Sequence, residues 1–275
     1  MGLEENTIAM TTQNIPTLPD YVTPEYLASL ELCQGKQDGS DGHRCAIQEV
    51  RHWLALDSSS DAIPDCVCPV IGKLVIGLND IDAAHRTAIK SRLPNLLGTR
   101  GDLNLEIHRA FVCADFAVRV FAVSALRSAG LDSEAVKLAA LPEIVDVKTS
   151  WAASEAASEA ASEAADASEA ANWAADASEA ASEAASKAAS EAASEAADAS
   201  KDADASWAAN WAADASEAAN WAADASKAAS RAANWAADAS KAADASKDAD
   251  ASWAANWAAS VKLSIQLLDR LLATT

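Results

Sequence analysis

The sequence predicts an all-α protein, a helical globular domain followed by an alanine-rich helical array, and three observations carry that reading. Apolar residues in the first half recur with the 3.6-residue period of helices, and no alternating strand pair stands among them. From Trp151 to Ser260 the chain is built from tetrads such as AASE or AANW and hexads such as AADASE or AADASK, with neither glycine nor proline. The last glycine is Gly130 and the last proline Pro142, so the residues that interrupt helices are confined to the first half. The expected organisation is a flexible segment over residues 1–20, a globular domain over 21–147 and a repeat array over 148–275 that ends in an amphipathic helix.

The first helix opens at Thr23-Pro24-Glu25, a capping hydroxyl before a proline at the first helical position, and is expected to reach Cys33 ahead of the loop QGKQDGSDG. A second spans Arg44 to Leu56, with Ile47, Val50 and Leu54 on one face. A third, from Pro69 to Leu78, is rich in Val and Ile and holds two glycines, both poor for helix. Further helices are expected over about 82–97 and 103–129, the latter presenting Phe111, Val118, Phe121 and Leu126. A short one runs from Ser133 to Leu141.

Alanine is the best helix former and a poor strand former, so the repeat is read as helix. Its polar residues alternate in parity as in a strand, and a solenoid of short segments is the rival reading. A single rod from Trp151 to Ser260 would be about 165 Å long at roughly 1.5 Å per residue. The motif KDADASW, at Lys201 and again at Lys247, breaks that length, because clustered aspartates compete for backbone hydrogen bonds and cap helix starts. Helices near 151–200, 206–246 and 252–273, folded back on one another, are the expectation.

Trp207, Trp221 and Trp235 stand fourteen residues apart, two heptads, and Trp211 lies one turn after Trp207. Trp253, Trp257, Val261, Ile265, Leu268 and Leu272 follow at steps of four or three, an amphipathic helix that needs a partner. The tryptophans are read as a packing seam, with a ligand-binding aromatic stripe as the alternative. An indole buries roughly 150–250 Å², which favours the seam.

Cys33, Cys45, Cys66 and Cys68, with His43 as an alternative ligand, form the one cluster with metal-ligand character, and zinc needs four such groups on a tetrahedron. Their spacing matches no common zinc pattern, so buried thiols compete with a metal site and with a redox pair. His108, Asp115 and Arg119 lie one or two turns apart, a pattern that fits a salt-bridged helix surface better than an acid–base site. GxSxG, P-loop, dinucleotide-binding and HExxH patterns are all missing. The sequence therefore reads as non-enzymatic, with no cofactor expected.

Net charge is −20 over 275 residues. Such an acidic chain disfavours nucleic-acid binding and favours attraction to a basic protein. Charges every four to six residues interrupt the repeat, so no membrane span is expected there. An odd count of five cysteines and an acidic N-terminus without an apolar signal point to a cytoplasmic protein. The repeat's charge is too sparse to mimic DNA, and its scarcity of threonine argues against ice binding.

Tyr26–Cys33 (YLASLELC), Arg44–Gln48 (RCAIQ), Cys66–Ile71 (CVCPVI), Leu96–Arg100 (LLGTR) and Leu141–Asp146 (LPEIVD), together with the repeat, carry a resemblance. The chain resembles a group of bacterial and phage alanine-tryptophan-repeat proteins labelled immunity proteins, whose helical head precedes such repeats. The resemblance implies binding and neutralising a toxin. Two functions follow as expectations: an acidic immunity or inhibitor protein that captures a basic partner, and a scaffold or self-association arm built on the repeat.

Overall fold

A computed structural model describes residues 16–38, 42–128, 131–163 and 249–274 of the chain. Among them the fold is helical, and the extended backbone is limited to one isolated parallel bridge between Leu32 and Arg44. Helix α1 covers Pro24–Ser29, α2 Ala46–Trp53, α3 Pro69–Ile81 and α4 Ala83–Ile89, which tightens into a 3-10 segment over Lys90–Leu96. Helix α5 covers Leu103–Phe116, passes through a π-helical stretch at Ala117–Ala122 and continues as α6, Val123–Ser128. Then come α7 over Asp132–Ala139, α8 over Val147–Glu163 and α9 over Ala249–Ala273.

Capping groups set these boundaries. The Thr23 hydroxyl accepts from the Tyr26 amide at 3.2 Å, with Pro24 in the first turn as the sequence indicates. Asp82 and Asp102 cap α4 and α5 by accepting from the His85 and Leu105 amides at 2.8 and 2.9 Å. Each such cap satisfies a backbone donor that the helix leaves open, worth about 1 kcal/mol. Helix α1 ends at Ser29, four residues short of the expected Cys33, because residues 30–33 extend to pair with the Arg44 backbone. At Gly72 in α3 a Cβ would fall 2.8 Å from the Ile63 side chain, so this glycine is a close-approach point.

Helix α5 is the axle of the fold. From Arg109 to Val118 every residue is buried, the signature of a helix enclosed on all sides. The sequence predicts one uninterrupted helix from 103 to 129, whereas the structure inserts the π turn where Asp115 is engaged outside its own helix. The Asp115 carboxylate receives both the Arg119 guanidinium, at 2.6 and 3.0 Å, and the Ile144 amide, at 3.0 Å. π turns commonly mark places where helix geometry yields to such a demand.

Two helices of the repeat half dock on this core. Ser150, Ala153, Ser154, Ala157 and Ala160 of α8 are buried at helical spacing, and the helix contacts α5, α7 and the π turn. Small side chains allow that close approach. Trp151 stands 48 % exposed on the same helix. At this first repeat unit the alanine and serine face is the seam, and the indole points away from it.

Helix α9 contacts α3, α4, α5 and the 3-10 segment. Leu267, Leu268, Leu271 and Ser264 are wholly buried, and Ser260 and Ile265 nearly so. The partner of the C-terminal amphipathic helix is thus the N-terminal set of helices. Its buried arc includes Ile265 and Leu268 as expected but is wider, taking in the 260, 264, 267 and 271 row. Arg92 holds Asp269 through two 3.0 Å bonds, and Arg109 donates to the Thr274 carbonyl at 2.7 Å. Trp207, Trp211, Trp221 and Trp235 lie outside the described residues, as do the side chains of Trp253 and Trp257 and the fold-back expected over 164–248. No helix among the described residues is long and apolar enough to cross a membrane.

Leu268→Ala should cost about 2–5 kcal/mol of unfolding free energy in urea titration, as core truncations do. Gln266→Ala, on the exposed side of α9, should stay within about 0.5 kcal/mol. Equal effects would mean that the docking of α9 is not part of the cooperative fold.

His85 supplies a second prediction. Buried in α4, it meets Asp82 Oδ2 at 2.8 Å through Nδ1, yet burial outweighs the aspartate and holds its pKa below 6.5. The folded chain therefore binds a proton less readily than the unfolded chain. This contribution is complete above pH 6.5 and is lost as pH falls through the lower folded value. Chemical denaturation from pH 7.5 downward should show a shallower acid decline in His85→Gln than in wild type.

Candidate functional site

A cavity of about 340 Å³ opens between α1, the 30–44 connection and the start of α2. Its polar lining comes from Tyr26, Ser29, Glu31, His43, Arg44 and Glu49. That volume lies at the lower end of small-molecule sites, about 300–1,000 Å³.

The wall is positioned from α3. Asn79, buried at the end of that helix, accepts from the Ala46 amide at 3.1 Å and donates to the Cys33 carbonyl at 2.8 Å. Asp80 receives the Gly35 amide at 2.7 Å. Gly35 and Gly42 adopt φ of +68° and +75°, a region that favours glycine, at either end of the loop. Gln48 ties the loop to α2, accepting from the Gln37 and Cys45 amides at 3.0 and 3.1 Å. The Cys33 amide then reaches the Arg44 carbonyl at 2.9 Å, which brings residues 33 and 43 side by side.

Glu49 is the electrostatic anchor of the wall. Its side chain is only 3 % exposed, and it accepts from Tyr26 Oη at 2.5 Å and Trp53 Nε1 at 2.9 Å, while Arg44 Nη1 stands 3.2 Å away. Three donors thus converge on one buried carboxylate. Burial, with the Glu49 carboxylate beside it, pushes the Tyr26 phenol up to about 12. Arg44 Nε is buried and makes no hydrogen bond.

The expected metal ligands divide among three places. Cys33 Sγ lies 3.5 Å from His43 Nδ1 at the cavity. Cys45 is buried at the start of α2, and Cys68 is buried at the start of α3 with Cys66 partly exposed before it. Among the described residues no group of three or more His, Cys, Asp or Glu side chains is arranged to hold a metal ion. The structure brings Cys33 and His43 together and leaves Cys45, Cys66 and Cys68 elsewhere, each as a free thiol. Burial raises the pKa of Cys45, Cys68 and Cys113. Sequence spacing missed the Cys33–His43 pairing because ten intervening residues, two positive-φ glycines among them, decide it.

Of the expected trio, Asp115 and Arg119 pair as described, while His108 is exposed. Asp115 is a buried fastening point and not part of a helix surface, since it is 1 % exposed and carries the Ile144 amide. A second buried ionic group was not legible in sequence. Arg109 donates to the Thr99 carbonyl at 2.5 Å and to Thr274, and Glu106 faces Arg100 at 3.1 Å. Burial raises the pKa of Glu106.

Removing the anchor should loosen the wall. Glu49→Ala leaves Arg44, the phenol and the indole without their acceptor and should cost about 3–5 kcal/mol, as breaking a buried ion pair does. Tyr26→Phe, which leaves the carboxylate two donors, should cost roughly 1.5–3 kcal/mol. Guanidinium unfolding midpoints read both. No protein-family model, curated protein or solved structure matches the chain.

Proposed function

We propose that the protein is a non-enzymatic acidic binding protein of the immunity or inhibitor kind, which captures a basic protein partner, with a toxin as the expected class. The observation that supports this reading most is the anchoring of both ends of the acidic repeat on one head. Helix α8 leaves the head at Glu163 and α9 returns to it from Ala249, and the two are linked through the same fastenings. Arg270 of α9 pairs with Glu143 just before α8, lies 4.0 Å from the Asp115 carboxylate and covers the Phe116 ring at 5.7 Å. Between the docked helices, residues 164–248 carry sixteen acidic and six basic side chains.

Tying down both ends of a chain segment removes part of the entropy that a partner would otherwise have to overcome. The excess of acid steers a basic protein toward the segment and rejects acidic ones. These two effects, fixed ends and single-sign charge, are what a capture surface for a basic toxin requires. They also leave the helical head free of any demand for reaction chemistry.

The test uses the full chain as immobilised bait in host lysate. A basic protein should be retained at low salt and released toward 1 M, where the Debye length falls to about 3 Å. Replacing Asp202, Asp204, Asp214, Asp224, Asp238 and Asp244 by Asn moves the segment from about −10 to −4. That variant should lose the partner while its thermal unfolding stays unchanged. Retention indifferent to salt and to the Asn changes would overturn the reading, and concentration-dependent self-assembly in sedimentation would replace it with the scaffold role.

A further inference from the structure

Cys33 differs from the other thiols in its surroundings. Cys45, Cys68 and Cys113 are closed off in the core, where burial favours the protonated thiol. Cys33 is partly exposed, 3.5 Å from His43 Nδ1, and it follows Leu32, which with His43 lines the 340 Å³ cavity. A thiol with an imidazole at hydrogen-bond distance has a base to receive its proton, the arrangement that activates a sulfur nucleophile.

Arg44 lines the cavity beside this pair, with Nη1 of its guanidinium committed to Glu49. Guanidinium groups select carboxylates and phosphates. Glu31 in the lining supplies the opposite sign and suits a ligand that also carries an ammonium group. Volume, charge of both signs and an adjacent nucleophilic sulfur describe one chemical class, an amino-acid or small-peptide disulfide.

We infer that Cys33 and the neighbouring cavity form a modification site for a carboxylate-bearing low-mass disulfide, with Cys33 as nucleophile, His43 as its base and Arg44 as the carboxylate anchor. In the exchange, the Cys33 proton passes to His43 Nδ1 and the thiolate attacks one sulfur of the ligand. A new S–S bond to Cys33 forms as the ligand's own S–S bond breaks. The departing sulfur takes the electron pair of the broken bond and recovers the proton from His43 as a free thiol. The ligand disulfide is the oxidant, and attack by a low-mass thiol reverses the step. This inference does not depend on the capture of a basic partner.

The test treats the reduced full chain with oxidised glutathione and maps the adducts by peptide mass. One glutathione should attach at Cys33, with none on the same peptide in Cys33→Ser. His43→Ala should slow the reaction at least about tenfold at neutral pH, in keeping with the loss of a positioned base. Cys66, partly exposed like Cys33 but placed just before α3, is the internal control and should be unaffected. S-methylglutathione, which cannot exchange, should protect Cys33 but not Cys66 from iodoacetamide. Adducts spread equally over Cys33 and Cys66, an unchanged rate in His43→Ala, or no protection by the methylated peptide would each overturn the inference.

Discussion

Leu267, Leu268 and Leu271 of the last helix fill a core whose other walls come from residues between Leu27 and Ala160, so the end of the chain completes what its beginning starts. Each fully buried leucine contributes about 1.5–3 kcal/mol relative to its exposed state, which makes this apolar contact the dominant constraint on the arrangement. The polar contacts around it set register more than strength. Arg92 and Asp269 are partly exposed, and such pairs contribute on the order of 1 kcal/mol or less. Arg109 has a different role, because it is buried and its two carbonyl acceptors, Thr99 and Thr274, lie far apart in sequence. It ties the connection ahead of α5 to the chain following α9 through Nη1 and Nη2, while its buried Nε makes no hydrogen bond.

The helix that opens the repeat and the helix that closes it both pack on this head, α8 against α5 and α7 and α9 against α3, α4 and α5. The alanine face of α8 makes this possible at its end, since Ser150, Ala153, Ala157 and Ala160 let the helix lie close against α5 and α7. A larger residue at Ala157, which is fully buried, would separate the helices. The outward Trp151 shows that in this stretch the tetrad spacing serves alanine packing first.

The sequence revealed the elements that depend on local signals. Thr23-Pro24 marks the start of α1, the 3.6-residue period marks α2 and α5, and the apolar steps from Val261 to Leu272 mark α9. What it concealed depends on contacts between distant residues. Nothing around Cys33 announces that Asn79, forty-six positions away, holds its carbonyl and thereby aims the thiol at His43. The π turn after Phe116 was hidden as well, and it follows an Asp115 whose carboxylate takes the amide of Ile144, twenty-nine positions away. The amphipathic face of α9 announced that a partner was needed, but apolar periodicity cannot identify the partner. The repeat's low complexity directed attention to itself, while the docking leucines are answered by the mixed sequence of the first half.

Charge is distributed in a way that links this core to the acidic repeat. Most arginines of the head are engaged within the fold: Arg44 with Glu49, Arg100 with Glu106, Arg119 with Asp115 and Arg92 with Asp269. Arg51 and Arg86 donate to backbone carbonyls, of Asp57 and Ala62 in one case and Asn79 in the other. A guanidinium suits this work because its fan of donors fastens several chain segments at once and it stays charged when partly buried. Positive charge used in this way is matched locally and contributes little to the outer field. The remaining excess is acid, and it is densest in the repeat, where helix-forming alanine makes no demand for counter-ions. Arginines fastened inside the head and an acid excess left over in the repeat are thus two results of one allocation, and unmatched charge of a single sign is what acts at long range.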